Sequence, residues 1–101
     1  MQYVRIATYA TTKGTFQELA ESSQTGMLPK FEAQPGFISY GVADLGDKRS
    51  LSISVWETRD QAQAAAAVAA AWVKDNMADR IKLTSNTVGD LAFFQGVPAT
   101  V

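Results

Sequence analysis

The side chains available for chemistry in this 101-residue sequence are phenols, indoles, hydroxyls, carboxylates and cations, because histidine and cysteine are both absent. The chain therefore has no imidazole base, thiolate nucleophile or disulfide, and it lacks the usual nitrogen and sulfur ligands of zinc. Ser-His-Asp and Cys-His catalysis, histidine-ligated haem and the 2-His-1-carboxylate iron site are excluded. We expect no metal and no cofactor.

Two tryptophans could line a pocket for an aromatic ligand. Trp56 ends a strand-like segment, and its indole could stack a planar ring while its N–H donates one hydrogen bond. Trp72 could serve the same purpose from an alanine-rich segment. The alternative for both is a packed core, with Trp56 as a strand-end residue and Trp72 filling the space that the alanines leave.

Two tyrosines and one arginine are further candidates. Tyr9 and Tyr40 could orient a phenolate or relay a proton where no imidazole is available, although aromatic residues at a dimer interface would explain them as well. Arg5 stands among apolar neighbours, where an unpaired charge is costly, so it should meet a carboxylate, a partner subunit or an anionic ligand. A salt bridge with Asp90 or Glu57 is the expected arrangement.

Serine and aspartate residues complete the candidates. The hydroxyls of Ser52 and Ser54 could bind ligand oxygens, but without a base to activate them neither is a nucleophile. Asp90 could be a general base if burial raised the pKa of its carboxyl, while ion pairing or exposure to solvent is the simpler interpretation. Asp44 and Asp47 lack the ligand spacing of a calcium loop and are assigned to a solvated turn.

Six elements must position these side chains. Runs of β-branched and aromatic residues predict four strands, over residues 2–9, 37–43, 50–56 and 87–94. Two helices should begin at the threonine N-caps Thr15 and Thr58. The first should be irregular, because Gly26 and Pro29 interrupt its apolar stripe. The apolar stripe of the second helix is predicted from residues at helical spacing: Ala62, Ala65, Ala69, Trp72 and Met77.

The third predicted strand has two different faces. Leu51, Ile53 and Val55 alternate with Ser52, Ser54 and Trp56, so one face is aliphatic and the other carries hydroxyls beside an indole. We expect the hydroxyl face to be half-buried. The tail over residues 95–101 contains Gly96 and Pro98 and is expected to be loosely held.

The order βαββαβ predicts a ferredoxin-like α+β domain over residues 1–101, with both helices on one face of a four-stranded antiparallel sheet. The strands offer apolar side chains in both directions, for example Val4 and Ile6 opposite Tyr3 and Tyr9. Leaving one face in water would expose a large apolar patch. We therefore expect two copies to pair through their sheets as a homodimeric α/β barrel.

Composition narrows the possible partners. The net charge is −1 and 19% of residues are charged, without a basic run that could neutralise a row of phosphates, so nucleic acid is not an expected partner. The N-terminal residues lack the pattern of a signal peptide, and no stretch reaches the roughly 20 apolar residues that span a bilayer. We expect a cytoplasmic protein that does not bind membranes.

The sequence Q-P-G-F-I-S-Y over residues 34–40, followed by S-V-W-E-T over residues 54–58 and a helix, resembles the dimeric α/β-barrel superfamily. Within it, the segment is similar to the antibiotic biosynthesis monooxygenase-like group, which commonly shows Pro-Gly-Phe or Pro-Gly-Cys opening strand two. A tryptophan in strand three and a short capped turn into helix two also match. The fourth strand matches only by type.

The resemblance implies a homodimer with a pocket in each subunit between sheet and helices. Some members oxidise polycyclic phenols or quinols with molecular oxygen and without metal or flavin, and others degrade haem. Members often carry a glutamate two residues before the tryptophan, where this chain has Ser54, and a histidine on helix two, which this chain lacks. Haem degradation that depends on an axial histidine is therefore not expected.

Three hypotheses follow. The first is a cofactor-independent monooxygenase that holds a small electron-rich aromatic in a pocket lined by six residues: Trp56, Tyr40, Tyr9, Trp72, Arg5 and Ser54. The second is a non-enzymatic dimeric barrel that binds a small ligand or is associated with stress. The third is an isomerase or decarboxylase with a buried acid such as Asp90. A cavity of a few hundred cubic ångströms reaching Trp56 would favour the first hypothesis, and a filled interior the second.

Overall fold

The computed structural model describes residues 1–94 and confirms the predicted ferredoxin-like α+β fold. Four strands form one antiparallel sheet in the order β2-β3-β1-β4: β1 (Gln2–Thr11), β2 (Phe37–Gly46), β3 (Arg49–Trp56) and β4 (Ile81–Leu91). Helical segments cover one face of this sheet: α1 (Phe16–Ser22), a π-helical turn (Ser23–Met27), α2 (Leu28–Glu32) and α3 (Arg59–Asn76). None of the helices in the described residues is long and apolar enough to cross a membrane.

The predicted irregularity of the first helix is the π-helical turn between α1 and α2. The N–H of Leu28 donates to the carbonyl of Ser23, five residues back, and Pro29 lies in the first turn of α2, where its missing N–H costs little. Gly26 lets Trp72 pack against this turn, because a Cβ at Gly26 would lie 2.7 Å from the indole nitrogen. The turn therefore carries Ser23 into the helix–sheet layer, where it is buried.

The Pro-Gly-Phe segment packs against the N-terminal end of α3. Gly36 has a φ of +79°, and its carbonyl accepts the N–H of Glu57 at 2.9 Å. Thr58 and Gln61 form a capping box at the first turn of α3. A Cβ at Gly36 would lie only 1.7 Å from Oε1 of Gln61, so any other residue would displace this carboxamide from the cap and would also have to adopt the left-handed backbone.

The expectation of a half-buried hydroxyl face on β3 is wrong, because this face is buried beneath the helices. Ser54 and Trp56 are 0% and 1% exposed. Trp56 packs edge-to-face against Phe31 of α2, with ring centroids 5.4 Å apart. Since side chains alternate along a strand, burying this indole also buries the serines two, four and six residues before it. The aliphatic side chains of Leu51 and Ile53 point to the opposite face and stay partly exposed.

Two predicted boundaries are also wrong. β4 begins at Ile81 and ends at Leu91, and it pairs with β1 from the Leu91–Gln2 pair to the Ile81–Thr11 pair. An edge strand tolerates the run over residues 82–87, which is polar except for Leu83, because one of its sides faces solvent. The β2–β3 loop is a two-residue turn at Asp47 and Lys48, whose positive φ angles suit a tight hairpin. The predicted loose tail, residues 95–101, lies outside the described residues.

Replacing Gly36 by alanine tests the structural role of the Pro-Gly-Phe segment. Gly36→Ala should lower the free energy of unfolding by about 2 kcal/mol or more, because it adds a clash with Gln61 to the cost of the left-handed backbone. Gly46→Ala is the matched control, since Gly46 has a φ of +81° and no atom within 4 Å of the added Cβ. Urea denaturation followed by tryptophan fluorescence measures both. Equal losses would show that Gln61 does not constrain this position.

Candidate functional site

A narrow cavity of about 20 Å³ lies between the helices and the buried face of the sheet. Its polar lining consists of five hydroxyl-bearing residues: Tyr9, Ser23, Tyr40, Ser50 and Ser52. Leu19, Met27 and Trp72 are among the apolar side chains that close it. This volume suits one water molecule and excludes an aromatic ligand.

A much larger groove of about 600 Å³ opens between α3 and the β1–β4 side of the sheet. Arg5, Tyr9 and Asn86 supply its polar groups on the sheet, and Lys74 lies on the helix side. The rest of the lining is alanine and aliphatic side chains: Ala66, Ala67, Ala70, Val73, Ala78, Ile81 and Leu83. A groove of this size can hold a small aromatic molecule. Tyr9, Val73 and Ile81 line both the groove and the narrow cavity.

Arg5 is a buried cation without a carboxylate partner among residues 1–94. It is 2% exposed, and its Nε donates to Oδ1 of Asn86 at 2.6 Å. Its Nη1 is buried and has no hydrogen-bond partner in the described part of the chain. The prediction that Arg5 forms a salt bridge with Asp90 or Glu57 is therefore wrong. Val88 stands opposite Arg5 in the β1–β4 register.

Asp90 is held elsewhere. It stands opposite Tyr3 near the start of α3, where Arg59 reaches it and forms a salt bridge on the surface. The guanidinium of Arg59 also lies 5.5 Å from the ring centroid of Tyr3. No aspartate or glutamate of the described chain lines the cavity or the groove. The general base that the isomerase or decarboxylase hypothesis requires is therefore not found in either place.

Tyr40 is a partly buried phenol that stays protonated at neutral pH. Burial raises the pKa of Tyr40 above its ordinary value of 10.0, and the nearby Tyr9 phenol acts in the same direction. The hydroxyls of Ser23 and Ser52 and the guanidinium of Arg5 act in the opposite direction. Tyr40 can therefore donate a hydrogen bond into the cavity.

The six predicted pocket residues fall into separate groups. Tyr9 and Arg5 line the groove, Tyr9, Tyr40 and Trp72 line the cavity, and Trp56 and Ser54 line neither. The indole N–H of Trp56 donates to Oγ of Ser54 at 2.9 Å. Both side chains are fully buried in the core, and Trp56 reaches only a small surface pocket of about 40 Å³ beside Pro35.

Polar residues of the cavity and groove that were not among the predicted site residues include Asn86, Ser23 and Ser50. Asn86 is the hydrogen-bond partner of Arg5. It was assigned to a predicted loop because the first half of β4 is mostly polar and does not show the pattern of a strand. Ser23 lies within the first predicted helix and was not proposed as a site residue. Ser50 shares the alternation of Ser52, Ser54 and Trp56, and that period could have identified it.

No group of three or more metal-ligating His, Cys, Asp or Glu side chains is found within residues 1–94. The polar groups that line the groove and the cavity are instead suited to anion binding and hydrogen bonding. The guanidinium can hold an oxyanion, and the phenols and serines can donate and accept protons.

The protein is thus a ferredoxin-like domain, and its narrow cavity and groove form a candidate small-molecule site on the helix-covered face of the sheet. Comparison of the sequence with protein-family models and with curated proteins found no match. Solved structures do match. SnoaB from Streptomyces nogalater, a cofactor-independent oxygenase, superposes with a TM-score of 0.67 at 16% identity, covering 97% of this chain and 98% of that chain.

Two further structures are candidate antibiotic biosynthesis monooxygenases. The one from Nitrosomonas europaea has a TM-score of 0.67 at 21% identity and covers 94% of each chain. The one from Chloroflexus aurantiacus has a TM-score of 0.66 at 17% identity, covering 95% of this chain and 98% of that chain. These neighbours confirm the predicted resemblance to the antibiotic biosynthesis monooxygenase-like group at the level of the fold.

The raised pKa of the partly buried Tyr40 phenol predicts a loss of stability at alkaline pH. The pKa of this phenol is higher in the folded than in the unfolded chain. Its contribution to the free energy of unfolding is therefore complete below about pH 10 and is lost as the pH rises through the folded pKa. Tyr40→Phe should therefore lose less unfolding free energy than the wild type between about pH 8 and about pH 11. Urea denaturation at both pH values measures this difference.

Tyr3→Phe is the control, because it removes a phenol near the start of β1 that lines neither the narrow cavity nor the groove. An identical pH dependence in the wild type and in Tyr40→Phe would contradict the role given to burial at this position.

Proposed function

We propose that this protein is a cofactor-independent monooxygenase that binds a small electron-rich aromatic, such as a phenol or quinol, in the groove between α3 and the sheet. The observation that carries the proposal is the buried guanidinium of Arg5. Within residues 1–94 it has no carboxylate partner, and it lines a groove whose other polar residues are Tyr9, Asn86 and Lys74. An ionised substrate oxygen would supply the missing negative charge.

The chemistry follows from this charge. A cation close to a phenol favours the ionised form and so lowers the pKa of the bound substrate, and this effect is strongest where water is excluded. The resulting anion is electron-rich enough to reduce molecular oxygen directly. One carbon of the substrate that bears a hydrogen then forms a bond to oxygen, and the resulting peroxide anion takes up a proton from water. Elimination of water removes the hydrogen of that carbon, breaks the O–O bond and leaves a ketone or quinone. Arg5 would act throughout by stabilising negative charge on oxygen.

Neighbouring side chains would position the ring. The alanines at 66, 67 and 70 present a flat apolar wall, and Val73 and Leu83 extend it along the groove. Asn86 would hold Arg5 in place through the Nε hydrogen bond. Tyr9 lies where the groove meets the narrow cavity, within reach of the proton that the substrate must lose.

The alternative is a ligand-binding barrel without catalysis. The small interior cavity and the packed environment of Trp56 favour it, because neither the cavity nor the surroundings of Trp56 have room for a substrate. Under this alternative the groove would bind an aromatic anion at Arg5 and leave it unchanged. Binding without oxygen consumption would distinguish the two functions.

We also propose a homodimer that forms through the open face of the sheet. Ile6 stands opposite Ile53 at the middle of the β1–β3 pair, and both side chains are only partly buried in the single chain. Ile38 is 39% exposed on β2, so the described chain leaves aliphatic surface on the side away from the helices. Pairing of two such faces would bury this surface, as in a dimeric α/β barrel.

Oxygen uptake tests the proposed reaction. Purified protein is mixed with anthrones, naphthols and hydroquinones, and consumption above the rate without protein is expected for at least one of them. Arg5→Met should reduce this uptake by about a hundredfold or more, because it removes the charge and keeps an apolar side chain of similar length. Thermal unfolding verifies that the variant is folded.

Arg59→Met is the matched control, because it removes an exposed arginine that pairs with Asp90 outside the groove. Its uptake should remain close to that of the wild type. Absence of uptake across the panel, together with Arg5-dependent binding of the same compounds, would reject the oxygenase in favour of the ligand-binding barrel.

The proposed dimer is tested by a charge at the centre of the open face. Ile53→Asp should convert the protein from a dimer to a monomer, because dimerisation would bury two unpaired carboxylates. Light scattering coupled to size-exclusion chromatography measures the molar mass. Ala71→Asp on the exposed side of α3 is the control and should remain dimeric. A monomeric wild type would contradict the proposed partner.

A further inference from the structure

Ser50 carries a buried hydroxyl that is not explained by the packing around it. The residue is 2% exposed, and its Oγ has no hydrogen-bond partner within residues 1–94. It stands directly opposite Tyr9 in the β1–β3 pair and lines the narrow cavity. A buried hydroxyl without a partner is costly, so a group that satisfies it is expected in the adjacent space.

The adjacent space has the size and polarity of a water site. Its volume of about 20 Å³ exceeds the minimum for one water molecule. The phenols of Tyr9 and Tyr40 and the hydroxyls of Ser23 and Ser52 line it together with Ser50. A water in this position would find the two to four hydrogen-bond partners that buried waters require.

The hydroxyl groups also connect two surfaces of the domain. Tyr9 lines the 600 Å³ groove on the β4 side of the sheet as well as the cavity. Ser23 and Tyr40 line the cavity and a second groove of about 220 Å³, which lies between the first helix and β2. The π-helical turn places Ser23 at this second groove, beside the exposed Gln24.

We propose that the cavity binds one ordered water on Ser50, and that this water joins Tyr9 to Tyr40 and Ser23 in a proton path from the substrate groove to the opposite surface. The path rests on the proposed oxygenase function, because it gives the substrate proton a route to solvent when the ligand itself fills the groove. The path would also take the place of a carboxylate base, which is absent from the described residues that line the groove and the cavity.

The transfer changes only O–H bonds. The substrate hydroxyl gives its proton to the oxygen of Tyr9 as the phenol proton of Tyr9 passes to the water. The water passes a proton to Tyr40, and the proton of Tyr40 leaves through Ser23 to bulk water at the second groove. Every protein group ends with the proton count it began with, and the substrate is left as the anion that Arg5 stabilises.

The water site is tested first, on the protein alone. Magnetic relaxation dispersion of the water oxygen should detect a long-lived buried water in the wild type. Ser50→Val, which replaces the hydroxyl by methyl groups that fill the cavity, should lose it. Ser39→Val on the exposed surface of β2 is the control and should retain it. No long-lived water in the wild type, or its persistence in folded Ser50→Val, would overturn the inference whether or not the protein consumes oxygen.

The path is tested by proton exchange and by turnover. Exchange of the Tyr40 hydroxyl proton with solvent, followed by NMR, should slow at least about tenfold in Ser50→Val. With a substrate that supports oxygen uptake, Tyr40→Phe and Ser50→Val should lower the maximal rate by a similar factor, leave the dissociation constant unchanged and alter the solvent deuterium isotope effect. Unchanged Tyr40 exchange in folded Ser50→Val would overturn the path, and this readout does not depend on the oxygenase proposal.

Discussion

The structure depends on which face of the sheet lies beneath the helices, and Trp56 decides it. Its indole is fully buried against Phe31 and Phe37, and its N–H is satisfied by Ser54 on the same strand. Because β3 alternates strictly, this single large side chain takes the three preceding serines of its face into the core with it. A layer that would ordinarily be aliphatic is therefore lined with hydroxyls.

The same alternation governs β1. Tyr9 and Arg5 share the helix-covered face of that strand, while Val4 and Ile6 point to the open face. A guanidinium in such a layer loses much of its hydration, and one hydrogen bond to Asn86 compensates only part of the desolvation free energy. Burying a cation without a counter-ion does not increase stability, so an apolar residue of similar volume would serve a purely structural core at least as well at this position. The charge of Arg5 is the feature on which the proposed binding site rests.

The short motif that links the chain to its structural neighbours has a different basis. The Pro-Gly-Phe segment turns the chain into β2. The carbonyl of Gly36 accepts the N–H of Glu57, and the missing side chain of Gly36 leaves space for Gln61 at the start of α3. These are requirements of the fold and do not belong to a reaction. A neighbour such as SnoaB at 16% identity can therefore share the architecture while the polar groups of the site differ.

The sequence by itself determined the order of elements, the caps at Thr15 and Thr58, the interruption of the first helix and the buried stripe of α3, because all of these follow from local periodicity and backbone preferences. It could not determine which face of β3 the helices cover, since both faces of that strand are plausible cores. Nor could it pair Arg5 with Asn86 rather than Asp90, or separate Trp56 from the groove. Those outcomes depend on strand register and on contacts between residues distant in the chain, which only the tertiary structure fixes.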